Sequence, residues 1–156
     1  MSRSIPILSP EQALPKLRHY CAYQERCHQE VRDKLFELGV RVREHDTIIA
    51  SLIEENYLNE ERFAVAFAGG KWRIKRWGRV RIRYELRQRQ VSEYCIRKAL
   101  KEIDEEEYRE VLRKLVAEKC DSLRKESWPV RKKKVQAFAI GRGFEAAMVL
   151  EYLNDR

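Results

Sequence analysis

Residues 31–40, VRDKLFELGV, return as IRYELRQRQV at 82–91 and as VQAFAIGRGF at 135–144. The shared frame is Val31, Ile82 and Val135, then Leu35, Leu86 and Ala139, then Val40, Val91 and Phe144, at offsets of 51 and 53 residues. The register runs on without gaps: His45, Ile96 and Val149 align, as do Ile49, Leu100 and Leu153. A unit of about 50 residues is marginal for an independent core. Three such units must lean on one another, as repeat arrays do. Six glycines and four prolines in 156 residues leave few turn signals for a sandwich or barrel. The expected fold is all-α, an elongated tandem array of three three-helix repeats. Its expected divisions are an N-terminal tail at 1–9 and repeats at 10–56, 57–104 and 105–156.

Helical spacing of apolar residues recurs along the whole chain. Ser9-Pro10-Glu11-Gln12 reads as a helix start with a hydroxyl cap and a returning glutamine. Pro15 conflicts with it, and either kinks this helix or marks its true beginning. Gly39 and Asn56 stand where left-handed helix ends are wanted. Asn59 caps a helix whose apolar side is Phe63, Ala66, Phe67 and Ile74. Gly69-Gly70 is expected to loosen or bend that helix. Gly78 breaks before the next helix, and Ser92 caps the one after it. Asp104-Glu105-Glu106-Glu107 opens the last repeat as an acidic helix start.

The charge is not spread evenly. Of the chain's 33 Lys+Arg and 25 Asp+Glu, nine and one fall between Lys71 and Arg89, so 24 of each remain elsewhere. The whole formal charge of +8 sits in these 19 residues. Arg79, Arg83 and Arg87 recur every four residues and share a helix side beside the apolar Ile82 and Leu86. A solvated helix would intersperse acids at i,i+4, and only Glu85 is present. The concentration fits phosphate neutralisation or an acidic protein surface. Candidate contacts are Lys71, Arg73, Lys75, Arg76, Trp77, Arg79, Arg81, Arg83, Arg87 and Arg89, with a second cluster at Arg131, Lys132, Lys133 and Lys134. Trp72 and Trp77 either stack on unpaired bases, at about 1–3 kcal/mol each, or fill the joint between repeats.

Catalytic constellations are absent: there is no Walker loop, G-x-G-x-x-G, H-E-x-x-H or G-x-S-x-G. Cys27 and His28 are adjacent, and neighbouring helical residues point about 100° apart. The four cysteines and three histidines form no zinc spacing, so no metal site or cofactor is expected. Glu54-Glu55 and Glu105-Glu106-Glu107 leave a metal-dependent nuclease as the remote alternative. No run approaches the roughly 18 apolar residues of a membrane span. The opening MSRSIPILSP has no long apolar core after its arginine. The expectation is a cytoplasmic monomer.

Tyr57-Leu58-Asn59-Glu60-Glu61-Arg62-Phe63-Ala64 resembles the G-Y-L-[DN]-[DE]-x-R-F-A signature of RecX proteins, bacterial regulators of the RecA recombinase. Gly78 to Val91, GRVRIRYELRQRQV, is similar to the family's second block, G-x-x-R-I-x-x-E-L-x-x-K-G-[IV]. Lys34-Leu35 through Gly39-Val40 looks like its K-L-x-x-x-G block, and the likeness extends over about residues 14–153. Asn56 stands for the usual glycine, Arg89-Gln90 for Lys-Gly, and Cys27 for a serine cap; the third repeat carries the least of the pattern. The resemblance implies a chain of three-helix repeats without catalysis. It implies binding to the RecA filament on single-stranded DNA, and suppression of RecA ATP hydrolysis and strand exchange in recombination, repair and the SOS response. Single-stranded DNA is a further partner in this reading. A stand-alone helical nucleic-acid binder without a RecA partner is the alternative. Tyr57, Leu58, Arg62, Phe63, Gly78 and Leu86 are the motif's structural residues. Phe63 is expected in the core, and Arg62 in a salt bridge or capping a helix end.

Overall fold

The computed structural model describes residues 7–155, so most of the expected tail at 1–9 lies outside the described residues. Nine α-helices and no strand occur among them. The first triplet is α1 (Pro10–Tyr23), α2 (His28–Glu37) and α3 (Val42–Glu54). The second is α4 (Glu60–Gly70), α5 (Arg79–Gln88) and α6 (Glu93–Lys101), and the third is α7 (Glu105–Ser122), α8 (Trp128–Gly141) and α9 (Ala146–Asn154). A π-helical turn, Lys71–Lys75, extends α4.

The repeat is visible in the hydrogen bonds that end α2, α5 and α8. Gly39, Gln90 and Gly143 each take a left-handed backbone, at φ 77°, 59° and 101°. The next amide in each case reaches back across the turn. Val40 N–H donates to Leu35 O at 2.9 Å, Val91 N–H to Leu86 O at 3.1 Å, and Phe144 N–H to Ala139 O at 3.2 Å. These are Schellman ends, and they satisfy carbonyls that the helices leave orphaned. Only the middle repeat builds its end without glycine. A left-handed residue with a Cβ costs about 1 kcal/mol, and Gln90 is exposed with its side chain free to be lost. Gln90→Gly is therefore expected to stabilise the protein by about 0.5–1 kcal/mol. A higher urea midpoint at unchanged slope would show it; a lower midpoint would contradict it.

Two hydrophobic cores result. The first triplet packs Leu17, Cys21, Val31, Leu35, Ile48, Leu52 and Leu58 around one centre. The second and third triplets share another, centred on Trp72, Tyr108 and Phe144. Trp72 and Phe144 each bring a ring centroid 5.2 Å from that of Tyr108. Such contacts add about 0.5–1.5 kcal/mol per pair beyond area burial. Cys27, from the first triplet, joins this second core.

One local expectation is corrected and two are refined. Helix α1 begins at Pro10 and runs through Pro15. Ser9 Oγ accepts from Gln12 N–H at 3.2 Å, and Gln12 Oε1 accepts from Ser9 N–H at 3.0 Å, which fixes the start. Gly69-Gly70 stays helical at the end of α4, and the ladder loosens into the π-helical turn just beyond. Ala66 and Ile74 face outward, whereas Ala64, Ala68 and Trp72 form the buried stripe.

Candidate interaction surface

Helix α5 starts with a glycine, which has no side chain to cap its free amides. The third repeat supplies the caps. Gly78 N–H donates to Arg142 O at 2.8 Å, and Val80 N–H to Gly143 O at 2.9 Å. Arg79 N–H donates to the Tyr108 hydroxyl at 3.0 Å. Three orphan donors of α5 are thus satisfied by another repeat. The approach is backbone to backbone, because a Cβ on Gly78 would lie 2.2 Å from the Gly143 carbonyl carbon.

Arg79 completes this joint. Its Nη2 lies 2.6 Å from Glu145 Oε2, its Nη1 2.6 Å from Glu105 Oε2, and its guanidinium carbon 3.9 Å from the Tyr108 ring centroid. Tyr108 is fully buried and donates its hydroxyl proton to Glu145. Burial, then the bond to Glu145, pushes the Tyr108 hydroxyl well above its ordinary range. For Arg79, burial works against the charge, but the bonds to Glu105 and Glu145 outweigh it and raise its pKa. The Arg79 bond holds Glu105 below the usual carboxylate range.

The basic stretch is thus more neutralised than its own residues suggest. The acids come from the third repeat, from the next helix and from α5 itself. Arg83 and Arg87 both pair with Glu93 of α6, and Arg89 pairs with Glu85 at 2.9 Å. The bond to Arg87 lowers the Glu93 pKa. Arg79, Arg83 and Arg87, expected on a common polyanion face, are each ion-paired within the protein. Trp77 is half-buried against Phe67, with the Arg81 guanidinium 4.0 Å and the Lys71 ammonium 4.9 Å from its ring centroid. Its ring is thus engaged by two cations of its own chain. Trp72 is buried, and Arg76 stacks on it 4.9 Å away with Glu107 at 3.6 Å. In the second cluster, Arg131 Nη2 donates to Arg124 O at 2.9 Å and Lys134 pairs with Glu126 at 2.8 Å, while Lys132 and Lys133 make no ion pair among the described residues.

Within the second repeat, the exposed cations without an ion pair are Arg73 and Lys75 on the π-helical turn, and Arg97, Lys98 and Lys101 on α6. None of the five lies within ion-pair distance of a described carboxylate. The α6 trio was missed in the sequence because Glu93 and Glu102 flank it and offset most of its charge. Arg97 and Lys101, with Val80, Arg83 and Leu100, line a shallow depression between α5 and α6.

The structural motif residues sit at joints or in cores. Arg62 Nε donates to Glu25 at 2.6 Å, and its Nη2 to Asn56 O at 3.1 Å and Tyr57 O at 3.3 Å. It thus ties α4 to the end of α3 and to the α1–α2 connection. Phe63, Leu58 and Leu86 are buried, and Tyr57 is exposed. Of the acidic clusters, Glu55 is held by Arg18 at 2.7 Å, and Glu105 by Arg79 and Arg109. No group of three or more His, Cys, Asp and Glu side chains is placed to hold a metal ion among the described residues. Burial pushes the Cys21 and Cys27 thiols up to about 11, which keeps them protonated at neutral pH. No described helix is long and apolar enough to cross a membrane.

The family models for the second and third three-helix domains of RecX match residues 59–100 and 105–153. The chain belongs to the RecX family. The third repeat, poor in the family's motif by eye, is thus matched over its whole helical length. Regulatory protein RecX of Prosthecochloris aestuarii is 28% identical over 145 residues, covering 92% of each chain. Regulatory protein RecX of Clostridium perfringens is 34% identical over 125 residues, 77% of this chain and 57% of that protein. The RecX of Bacillus cytotoxicus is 28% identical over 136 residues, and the chain spans 50% of its length. The crystal structure of RecX from Lactobacillus salivarius superposes with a TM-score of 0.84 at 18% identity, covering 94% of this chain and 95% of that one. Another RecX crystal structure gives 0.84 at 24% identity, covering 94% and 73%. At these identities the two structures speak for the fold, which is the family's array of three-helix repeats.

Proposed function

We propose that this RecX-family regulatory protein binds the RecA filament on single-stranded DNA and lowers its ATP hydrolysis and strand exchange. The observation that carries the reading is family membership. The unpaired cations add a physical means. Arg73, Lys75, Arg97, Lys98, Lys101, Lys132 and Lys133 are the contacts proposed for an anionic partner. Arg79 is paired at the joint with the third repeat, Arg83 and Arg87 with Glu93 of α6, and Arg89 with Glu85 of α5, so these four are the less available cations. A basic surface on a rigid frame speeds encounter with a polyanion and weakens with salt.

The deciding experiment is a titration of RecA ATPase in the presence of single-stranded DNA. Stoichiometric protein is expected to suppress hydrolysis. The triple variant Arg97→Gln/Lys98→Gln/Lys101→Gln is expected to need about tenfold more protein for the same effect, since three exposed pairs contribute about 0.5 kcal/mol each. No effect of the unmodified protein on hydrolysis would overturn the reading. Tight binding to bare DNA with that result would favour a stand-alone nucleic-acid binder.

A further inference from the structure

Ile74 is the most exposed large apolar side chain among the described residues, at 79%. It stands between exposed Arg73 and Lys75. The backbone that places it there is unusual. The turn Lys71–Lys75 is π-helical, and it ends on Arg76 in the left-handed region at φ 53°. The buried stripe Ala64, Ala68 and Trp72 runs along one side of the helix, and Ile74 is rotated off it.

The turn is clamped rather than loose. Trp72 is locked in the shared core against Tyr108. Arg76 N–H donates to Trp72 O at 3.1 Å, and Trp77 N–H to Lys71 O at 3.2 Å. From the third repeat, Arg142 Nη1 donates to Lys75 O at 3.2 Å. Two repeats thus hold one strained turn whose visible product is a displayed isoleucine between two cations. Strained conformations and π-helical insertions concentrate where a side chain must be aimed.

We propose that the Arg73–Ile74–Lys75 tip is a docking knob. Ile74 enters an apolar pocket on a partner protein, and carboxylates at the rim of that pocket meet Arg73 and Lys75. A protein fits better than a nucleic acid because the tip has no aromatic face for a base: Trp72 is buried and the Trp77 ring is engaged by Arg81 and Lys71. A side chain filling a desolvated pocket, ringed by a polar rim, is the usual arrangement of an interface anchor. The choice of the RecA filament as the partner tested rests on the function proposed above.

The test compares binding to RecA filaments on labelled oligo(dT) with binding to bare oligo(dT). Ile74→Ser is expected to weaken filament binding about tenfold, equally at low and high salt. Ile74→Leu, which keeps the apolar volume, is expected to bind within about twofold of the unmodified protein. Arg73→Gln/Lys75→Gln is expected to weaken binding at low salt, with the difference shrinking as salt rises. Bare oligo(dT) binding is expected to be unchanged by Ile74→Ser. Filament binding that survives Ile74→Ser overturns the knob alone. An equal loss on bare oligo(dT) also overturns it, and assigns the tip to nucleic acid. An unmodified protein that does not bind the filament overturns both the knob and the proposed function.

Discussion

Gly78→Ala is expected to destabilise the protein by about 3–5 kcal/mol, a large share of the roughly 5–15 kcal/mol that holds a domain folded. The added Cβ would lie 2.2 Å from the Gly143 carbonyl carbon, 2.3 Å from its oxygen and 2.4 Å from the Phe144 nitrogen. All three are backbone atoms, so no rotamer change relieves the overlap. The two segments must separate. That breaks the bonds from Gly78 N–H to Arg142 O and from Val80 N–H to Gly143 O, and it strands donors at a helix start that has no cap of its own. Gly70→Ala is the control. A Cβ there meets nothing within 4 Å, and in ordinary helical backbone it is expected to stabilise by about 0.5–1 kcal/mol. Urea curves on the two variants separate close packing from a general intolerance of alanine. Equal small effects would mean that the joint is looser than its geometry implies.

The repeat itself was legible because local chemistry and global packing agree at its key positions. Val31, Ile82 and Val135 are each fully buried, as are Leu35, Leu86 and Ala139. Gly39 and Gly143 advertise their left-handed ends, and Gln90 takes the same conformation by position alone. The Schellman bond from Val91 N–H to Leu86 O offsets this residue's reluctance. His45 shows the same override, since it is fully buried where the other repeats have Ile96 and Val149, and its Nε2 lies 3.1 Å from Val40 O.

The surface was less legible, for two physical reasons. Ion pairing is a tertiary property. Glu105 and Glu145 lie 26 and 66 residues beyond Arg79, so no window of sequence shows that they neutralise it. The count of +8 is correct, yet it says nothing of which arginines remain free. The second reason is the π-helical turn. A periodicity of 3.6 residues, carried through Phe67 to Ile74, puts Ile74 inside. The widened turn puts Trp72 inside instead, and no residue between Gly69 and Lys75 signals it in advance. Glycines were read as a point of weakness; their effect is to let Arg73 lie back over Gly69, with its guanidinium 2.8 Å from where a Cβ would stand.

Arg79→Met is expected to lower stability by about 2–4 kcal/mol while leaving the helices in place. The loss has two parts. Three charge-assisted bonds and the stacking on Tyr108 disappear. Glu145 is then left half-buried beside a Tyr108 hydroxyl, without its cation. Removing both charges should therefore be milder than removing one. Arg79→Met/Glu145→Leu is expected to be more stable than Arg79→Met alone, because breaking a partly buried pair leaves one charge uncompensated. The pH dependence provides an independent readout. Glu105 has its folded-state pKa depressed by Arg79, so its contribution is fully present above the unfolded carboxylate pKa. It is lost as pH falls through the folded value. Arg79→Met removes the larger cause of that depression and leaves the smaller one from Arg109, so the stability gap between variant and parent should narrow as the solution is acidified through the carboxylate range. Tyr108 has its pKa raised, so its contribution is present below the ordinary tyrosine pKa and is lost as pH rises beyond it. A gap that is constant from neutral to acid pH would show that Arg79 acts through packing on Tyr108 alone, with the ion pairs adding nothing to the joint.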